Sequence, residues 1–232
     1  NLSKAVSLYQ KACDGGEEYR CFNLGWMYED GQGVAEDKKE AFRWYRLAAE
    51  KGLAAAQNKL GTMYDFGEGG AKDKVKAIKW YRLAAEQGSS SGQTNLGTMY
   101  EFGEGVAKDT AEAVKWYRLA AEQGYARAQC QLGEMYRTGQ GVAKNDSTAV
   151  KWYCKAAEQG FANAQSNLGA MYYQGKGVAQ NHVNASQLYH KAADQGHAKA
   201  QCHLGIMYAE GRGGLPQSDA LAVEWWRKSA EQ

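Results

Sequence analysis

The side chains in this chain of 232 residues best suited to metal or redox chemistry are four histidines, five cysteines and six methionines. All the histidines (His182, His190, His197, His203) fall within one short stretch, with Cys202 beside His203. Ligation from one helix face calls for spacings of three or four residues, and no two of these histidines have them. They read as ordinary surface histidines, so no metal site and no cofactor is expected. The methionines stand at Met27, Met63, Met99, Met135, Met171 and Met207, one every 36 residues, which marks core filling. Cys130 and Cys202 hold one repeat position two periods apart, too far for a disulfide to reach. There is no Gly-x-Ser-x-Gly elbow, no His-Glu-x-x-His and no phosphate loop. The Gly-x-Gly segments lie between helical patterns and do not follow a strand, so they are not dinucleotide fingerprints. No catalytic residue is assigned, and the chain reads as a non-enzyme.

The elements that would position these side chains come from a repeat. Glycines recur every 36 residues in two series: Gly25, Gly61, Gly97, Gly133, Gly169 and Gly205, and Gly16, Gly52, Gly88, Gly124, Gly160 and Gly196. A fixed period of this length signals a solenoid of stacked units. The clearest unit starts near Leu53. Ala56, Leu60, Met63 and Tyr64 line one face of a first helix. Gly67-Glu68-Gly69 reverses the chain with the positive φ that glycine tolerates. Asp73 is placed to cap a second helix, which buries Ala77, Trp80, Tyr81 and Ala84 and stops at Gly88. Asp37 with Glu40, and Asp109 with Glu112, have the spacing of capping boxes. Later caps are Asn145, Asn181 and, after a loop one residue longer, Ser218. A glycine inside a helix costs about 1 kcal/mol relative to alanine, so Gly61 and its equivalents imply two helix backbones too close for a Cβ. The Trp-Tyr pairs (Trp44-Tyr45, Trp80-Tyr81, Trp116-Tyr117, Trp152-Tyr153), with Trp225-Trp226 last, are expected to fill the space between units.

The expected organisation is one solenoid domain: a lone helix over residues 1–15, then helix pairs over 16–51, 52–87, 88–123, 124–159, 160–195 and 196–232. A net charge of +2 argues against a nucleic-acid partner. No apolar run of about 18 residues is present to span a membrane. The chain opens at Asn1 in mid-pattern, without a Met or a signal-like segment, and neither end has a polar capping helix. The expectation is a processed or cut chain, with self-association through the open ends as one possibility.

The set Leu60-Gly61-x-Met63-Tyr64, Gly67-x-Gly69, Asp73, Lys76-Ala77, Trp80-Tyr81 and Ala84-Ala85-x-x-Gly88 resembles the Sel-one-like repeat, a relative of the tetratricopeptide repeat. The resemblance covers essentially the whole chain. Departures are Gly70 and Gly214 in place of Val, the capping Asn145 and Asn181, and Leu8 and Leu188 in place of Trp. It implies an all-α, right-handed α/α superhelical solenoid of 36-residue helix pairs and a scaffold role, in bacteria often at the cell envelope or in contact with a host. Some relatives are Cys-rich and close disulfides between cysteines eight residues apart. Cys13 and Cys21 have that spacing at the corresponding places, whereas the next unit has Ala49 and Gln57 there. The resemblance thus implies a Cys13–Cys21 bridge in an oxidising compartment, periplasmic or secreted, with two reduced thiols and a cytoplasmic location as the alternative. It also carries a runner-up function, binding or hydrolysis of β-lactam or cell-wall compounds, for which this chain lacks a Ser-x-x-Lys.

What fails to repeat points to function. The places of Ala55, Asn58, Thr62, Asp65 and Phe66 vary from unit to unit and share one face of the first helix. In stacked pairs the first helices line the concave groove. The residues expected to meet a protein or peptide there are Tyr19, Phe22, Trp26, Glu29, Thr62, Phe66, Thr98, Phe102, Arg127, Glu134, Arg137, Tyr173 and Ile206. Aromatics mixed with Arg and acids are the usual make-up of a binding hot spot. Phe66 and Phe102 have the alternative of packing on the glycine loop. Arg46, Arg82, Arg118 and Arg227 form a second stripe, each with a carboxylate four residues on (Glu50, Glu86, Glu122, Glu231), which suits a solvated row of helix ion pairs.

Overall fold

The computed structural model describes residues 2–14 and 17–232; Asn1 and the closing glycine Gly16 lie outside the described residues. Among those residues all regular structure is helical. The helices are α1 (Leu2–Asp14), α2 (Glu18–Asp30), α3 (Lys38–Glu50), α4 (Ala54–Phe66), α5 (Lys74–Glu86), α6 (Ser90–Phe102), α7 (Thr110–Glu122), α8 (Ala126–Thr138), α9 (Asp146–Glu158), α10 (Ala162–Gln174), α11 (His182–Ala193), α12 (Ala198–Glu210) and α13 (Asp219–Ala230). The contacts divide the chain into two compact units, Asn1–Ala120 and Ala121–Gln232. Within the first, each helix from α1 to α6 packs on the next; within the second, each from α8 to α13 does. Both are all-α solenoid stacks of helix pairs.

Local chemistry sets the boundaries. Each first helix ends at a glycine in the left-handed region, as at Gly67 (φ 78°), whose N–H donates to Met63 O. Each second helix described with its cap starts at a side chain that accepts from the first turn: Asp73 from Lys76 N, Asn145 from Thr148 N, Asn181 from Asn184 N, Ser218 from Leu221 N. The two expected capping boxes are half-made. Asp37 and Asp109 accept from Glu40 N and Glu112 N. Their own N–H groups, however, donate to the Tyr28 and Tyr100 carbonyls. Glu40 and Glu112 pair with Arg43 and Lys115 instead.

The mid-helix glycines correct the sequence reading. A Cβ on Gly61 would lie 2.6 Å from the Tyr81 ring, and one on Gly25, Gly97, Gly133 or Gly169 within 2.8–2.9 Å of Tyr45, Tyr117, Tyr153 or Tyr189. At Gly205 the same place is taken by Trp226. The glycine makes room for a ring of the facing helix, not for a backbone. The Tyr of each Trp-Tyr pair therefore fills the space inside its own helix pair, not the space between pairs. Close backbone approach occurs instead at the second loop glycine: a Cβ on Gly105 would lie 2.8 Å from the Lys74 carbonyl carbon.

Successive pairs are joined by a glutamine ladder that the sequence reading passed over. Gln57, Gln93, Gln129, Gln165 and Gln201 are each 4% exposed. They donate to the carbonyls of Ala49, Ala85, Ala121, Ala157 and Ala193, at 3.1–3.3 Å. Each carbonyl also accepts from the N–H of the glycine three residues on, so the amide is its second donor. Such a bond is worth about 0.5–1.5 kcal/mol net and satisfies a buried amide in a core of Ala, Leu and Met. At the equivalent place in the first pair the link is covalent: Cys13 and Cys21 are disulfide-bonded, with Cα atoms 4.9 Å apart.

Candidate partner-binding face

In the first unit the variable positions of the first helices divide into two groups. Tyr19 (65%), Trp26 (48%), Phe66 (68%) and Phe102 (61%) are exposed. The others are engaged inside the fold. Phe22 packs its ring 5.3 Å from Tyr45. Glu29 accepts from Tyr45 Oη at 2.8 Å and pairs with Lys59. Thr62 and Asp65 both accept from Tyr81 Oη, and Asp65 also pairs with Lys74. Thr98 and Glu101 meet Tyr117 Oη. Asp65 and Glu101 are nearly buried although their positions were read as open. The tyrosine in the glycine socket needs an acceptor for its hydroxyl, and the facing helix supplies one.

In the second unit the same device changes residue. Tyr153 Oη donates to Glu134 at 2.7 Å, one helical turn before the place that Glu29, Asp65 and Glu101 occupy. Arg137 holds that later place and donates Nε to Glu134 at 2.8 Å. Partial burial pushes the Glu134 pKa up, but the bonds from Arg137 and Tyr153 outweigh it and hold the carboxyl below its usual range. Tyr173 donates to Glu210 at 2.8 Å and accepts from Arg212. Ile206 is half-buried and Arg127 exposed. Helices α8, α10 and α12 line a half-open cavity of about 530 Å³, whose lining includes Arg137, Asn163, Asn167, Ala170, Lys176 and Lys199. Of these only Arg137 was a candidate from sequence. Asn163 and Lys199 hold the variable place of Ala55, so their period was a visible signal. Cys130 reaches the cavity as well, but burial and the Glu134 charge push its thiol up to about 12, the reverse of what a nucleophile needs.

The remaining candidates are dispersed. Arg46 pairs with Glu50 at 2.9 Å, as expected, but Arg82 donates to Tyr100 Oη at 2.6 Å instead of pairing with Glu86. His182 and His203 pack on Tyr173 and Tyr189, and His190 sits against both Tyr208 and Trp225. His197 caps α12 through Nδ1, which accepts from Ala200 N. No helix among the described residues is long and apolar enough to cross a membrane.

With this geometry in place, the profile of the Sel1 repeat matches residues 1–17, 21–53, 54–89, 90–125, 126–161, 162–197 and 198–232. The chain belongs to the Sel1 repeat family. It is similar to the crystal structure of a protective antigen present in uropathogenic Escherichia coli strains, at 40% identity and a TM-score of 0.87, over 98% of this chain and 48% of that one. The Sel1 chain thus spans about half the length of that antigen. It is also similar to a Sel1 repeat protein from Oxalobacter formigenes, at 34% identity and a TM-score of 0.86, over 92% and 85% of the two chains. An immunity protein from Pseudomonas aeruginosa, at 21% identity and a TM-score of 0.60 over 93% and 82%, shares the fold. No curated protein matches this sequence.

Proposed function

We propose that this Sel1 repeat chain is a non-catalytic scaffold that binds another protein, or a peptide segment of one, through the exposed side chains of its first helices. In the family's solenoid these helices line the concave side. The observation that carries the reading is the exposure of Tyr19, Trp26, Phe66 and Phe102 on the first helices of one unit. The Tyr45, Tyr81 and Tyr117 sockets of that unit are closed by Glu29, Asp65 and Glu101, so these exposed rings are not needed to complete them. Exposed aromatics are the residues that most often dominate protein binding. The Cys13–Cys21 bridge supports an oxidising, periplasmic or secreted location. The likeness to a protective antigen of uropathogenic strains supports an envelope or host-facing role.

The test is capture from bacterial envelope and host extracts by the wild-type chain and by a Trp26→Ala/Phe66→Ala/Phe102→Ala variant. Exposed substitutions usually shift stability by no more than about 0.5 kcal/mol each, so the variant should keep its helical circular dichroism. It is expected to lose the proteins that the wild type retains. Retention of the same proteins by the folded variant overturns the reading.

A further inference from the structure

The cavity framed by α8, α10 and α12 stands where one helix pair lacks a part that four others have. In those four, the socket tyrosine donates its hydroxyl to a carboxylate of the facing helix: Tyr45 to Glu29, Tyr81 to Asp65, Tyr117 to Glu101 and Tyr153 to Glu134. In the α10–α11 pair the two places from which that acceptor comes are Ala170 and Tyr173. Tyr173 is turned to Glu210 and Arg212, and Ala170 has no acceptor to offer. Tyr189 Oη is left fully buried without a hydrogen-bond partner; His203 is stacked on its ring, and Tyr189 does not line the cavity itself. Ala170 is also the smallest residue in its series, which runs Trp26, Thr62, Thr98, Glu134, Ala170, Ile206, and its short side chain opens the floor of the cavity.

The walls are cationic. Arg137, Lys176 and Lys199 face one acid, Glu134, which is already held by Arg137 and Tyr153. Lys176 and Lys199 have no ion-pair partner among the described residues. Asn163 adds an amide donor to the same wall, as does Asn167, whose Nδ2 already donates to Cys130 Sγ at 3.8 Å. A cavity with spare positive charge and amide donors is built to complement an anion that accepts several hydrogen bonds.

We propose that this cavity receives a carboxylate of an acidic peptide segment of the partner, held by Lys176, Lys199 and the neighbouring amides. The proposal rests on the reading that the first-helix face binds a protein, and it names the chemistry recognised in the second unit.

The test is fluorescence anisotropy with labelled hexaglutamate carrying an amidated C-terminus. Hexaglutamine, amidated or with a free C-terminus, serves as comparison. Hexaglutamate is expected to bind, with an affinity that falls as salt is raised, and amidated hexaglutamine is not. Binding of free-acid hexaglutamine as well would support the site and assign it to a chain end. Lys176→Ala/Lys199→Ala should weaken binding at least about tenfold. Ala170→Glu places a carboxylate in the lining; it should abolish binding while the helical circular dichroism is kept. Failure of every carboxylate peptide to bind, or equal binding to Ala170→Glu, overturns the proposal. The Trp26→Ala/Phe66→Ala/Phe102→Ala variant keeps the cavity and should bind hexaglutamate unchanged. Loss of extract capture by that variant, without any hexaglutamate binding to the wild type, would leave the scaffold reading standing and remove this one.

Discussion

Replacing Gly97 by alanine sets two opposing terms against each other. In an exposed helix the change would stabilise by about 1 kcal/mol, because glycine gives up more backbone freedom. At Gly97 the new Cβ would sit 2.8 Å from two ring carbons of Tyr117 and 3.3 Å from the Ala113 carbonyl oxygen. Comfortable carbon–carbon contact begins at about 3.5 Å, so the ring must retreat by roughly 0.7 Å. It has little freedom to do so. Tyr117 is fully buried, and its hydroxyl is tied to Glu101 at 2.6 Å. Overpacking of this kind costs about 1–3 kcal/mol, and a strained charge-assisted hydrogen bond adds to it. The net expectation is a loss of about 1–2 kcal/mol. Urea denaturation followed by circular dichroism measures it, fitted with a repeat-by-repeat model because stacked units need not unfold as one. The decisive comparison is the same substitution in a Tyr117→Ala background, where the ring is gone. There the alanine should stabilise, by up to about 1 kcal/mol. If Gly97→Ala stabilises the chain with Tyr117 in place, the socket does not account for the glycine.

Three further outcomes follow from described contacts. Reducing the Cys13–Cys21 bridge, which closes a loop with a sequence separation of 8, should cost about 2.5 kcal/mol on chain-entropy grounds. Hydrogen exchange should rise in α1 and α2, and Cys13→Ala/Cys21→Gln, which rebuilds the amide link of the other pairs, should recover part of the loss. Gln93→Leu removes one of the donors to the Ala85 carbonyl, which keeps the Gly88 N–H, and should destabilise by about 0.5–1.5 kcal/mol in the same denaturation assay. Glu134 has its pKa depressed in the folded state, so its contribution is present above the unfolded value of about 4.3 and lost as pH falls through the folded one. The stability difference between wild type and Glu134→Gln, measured by urea denaturation across a pH series, should therefore shrink on acidification below that range; a difference that grows there would refute it.

Most of the helix boundaries were legible because their causes are local. An Asp or Asn at a cap and a glycine in the left-handed region act within one turn of themselves. Partners set by packing were not legible. Gly61 announces that space is denied to a Cβ but cannot say whether a backbone or the Tyr81 ring denies it. The glutamines at 57, 93, 129, 165 and 201 repeat in five of the six places, with Cys21 in the first, yet glutamine by type reads as a surface residue. Only the carbonyl at the end of each preceding helix, which has a lone pair left for a second donor, explains why it is buried. The variable face was recognisable as a face. Which of its members are used up internally depends on a tyrosine on the facing helix, as for Glu29 and Tyr45 or Glu134 and Tyr153. The cavity was missed for a different reason: it is made by what Ala170 lacks, and a small residue in a variable column carries no signal of its own.

The tyrosine–glycine socket bears on how such a chain can change over time. Each socket, with its caps, is completed inside a single span of 36 residues, and the second loop glycine packs on the span before it. Excision or duplication of one whole span would leave every surviving socket intact and would present the same kind of seam to its new neighbour. Length is thus a heritable variable that shifts in fixed quanta, by recombination between near-identical segments, without a new core having to be invented. The side chains displayed on the first helices can then be reshuffled as complete cassettes, so that reach and recognition evolve separately from the capacity to fold.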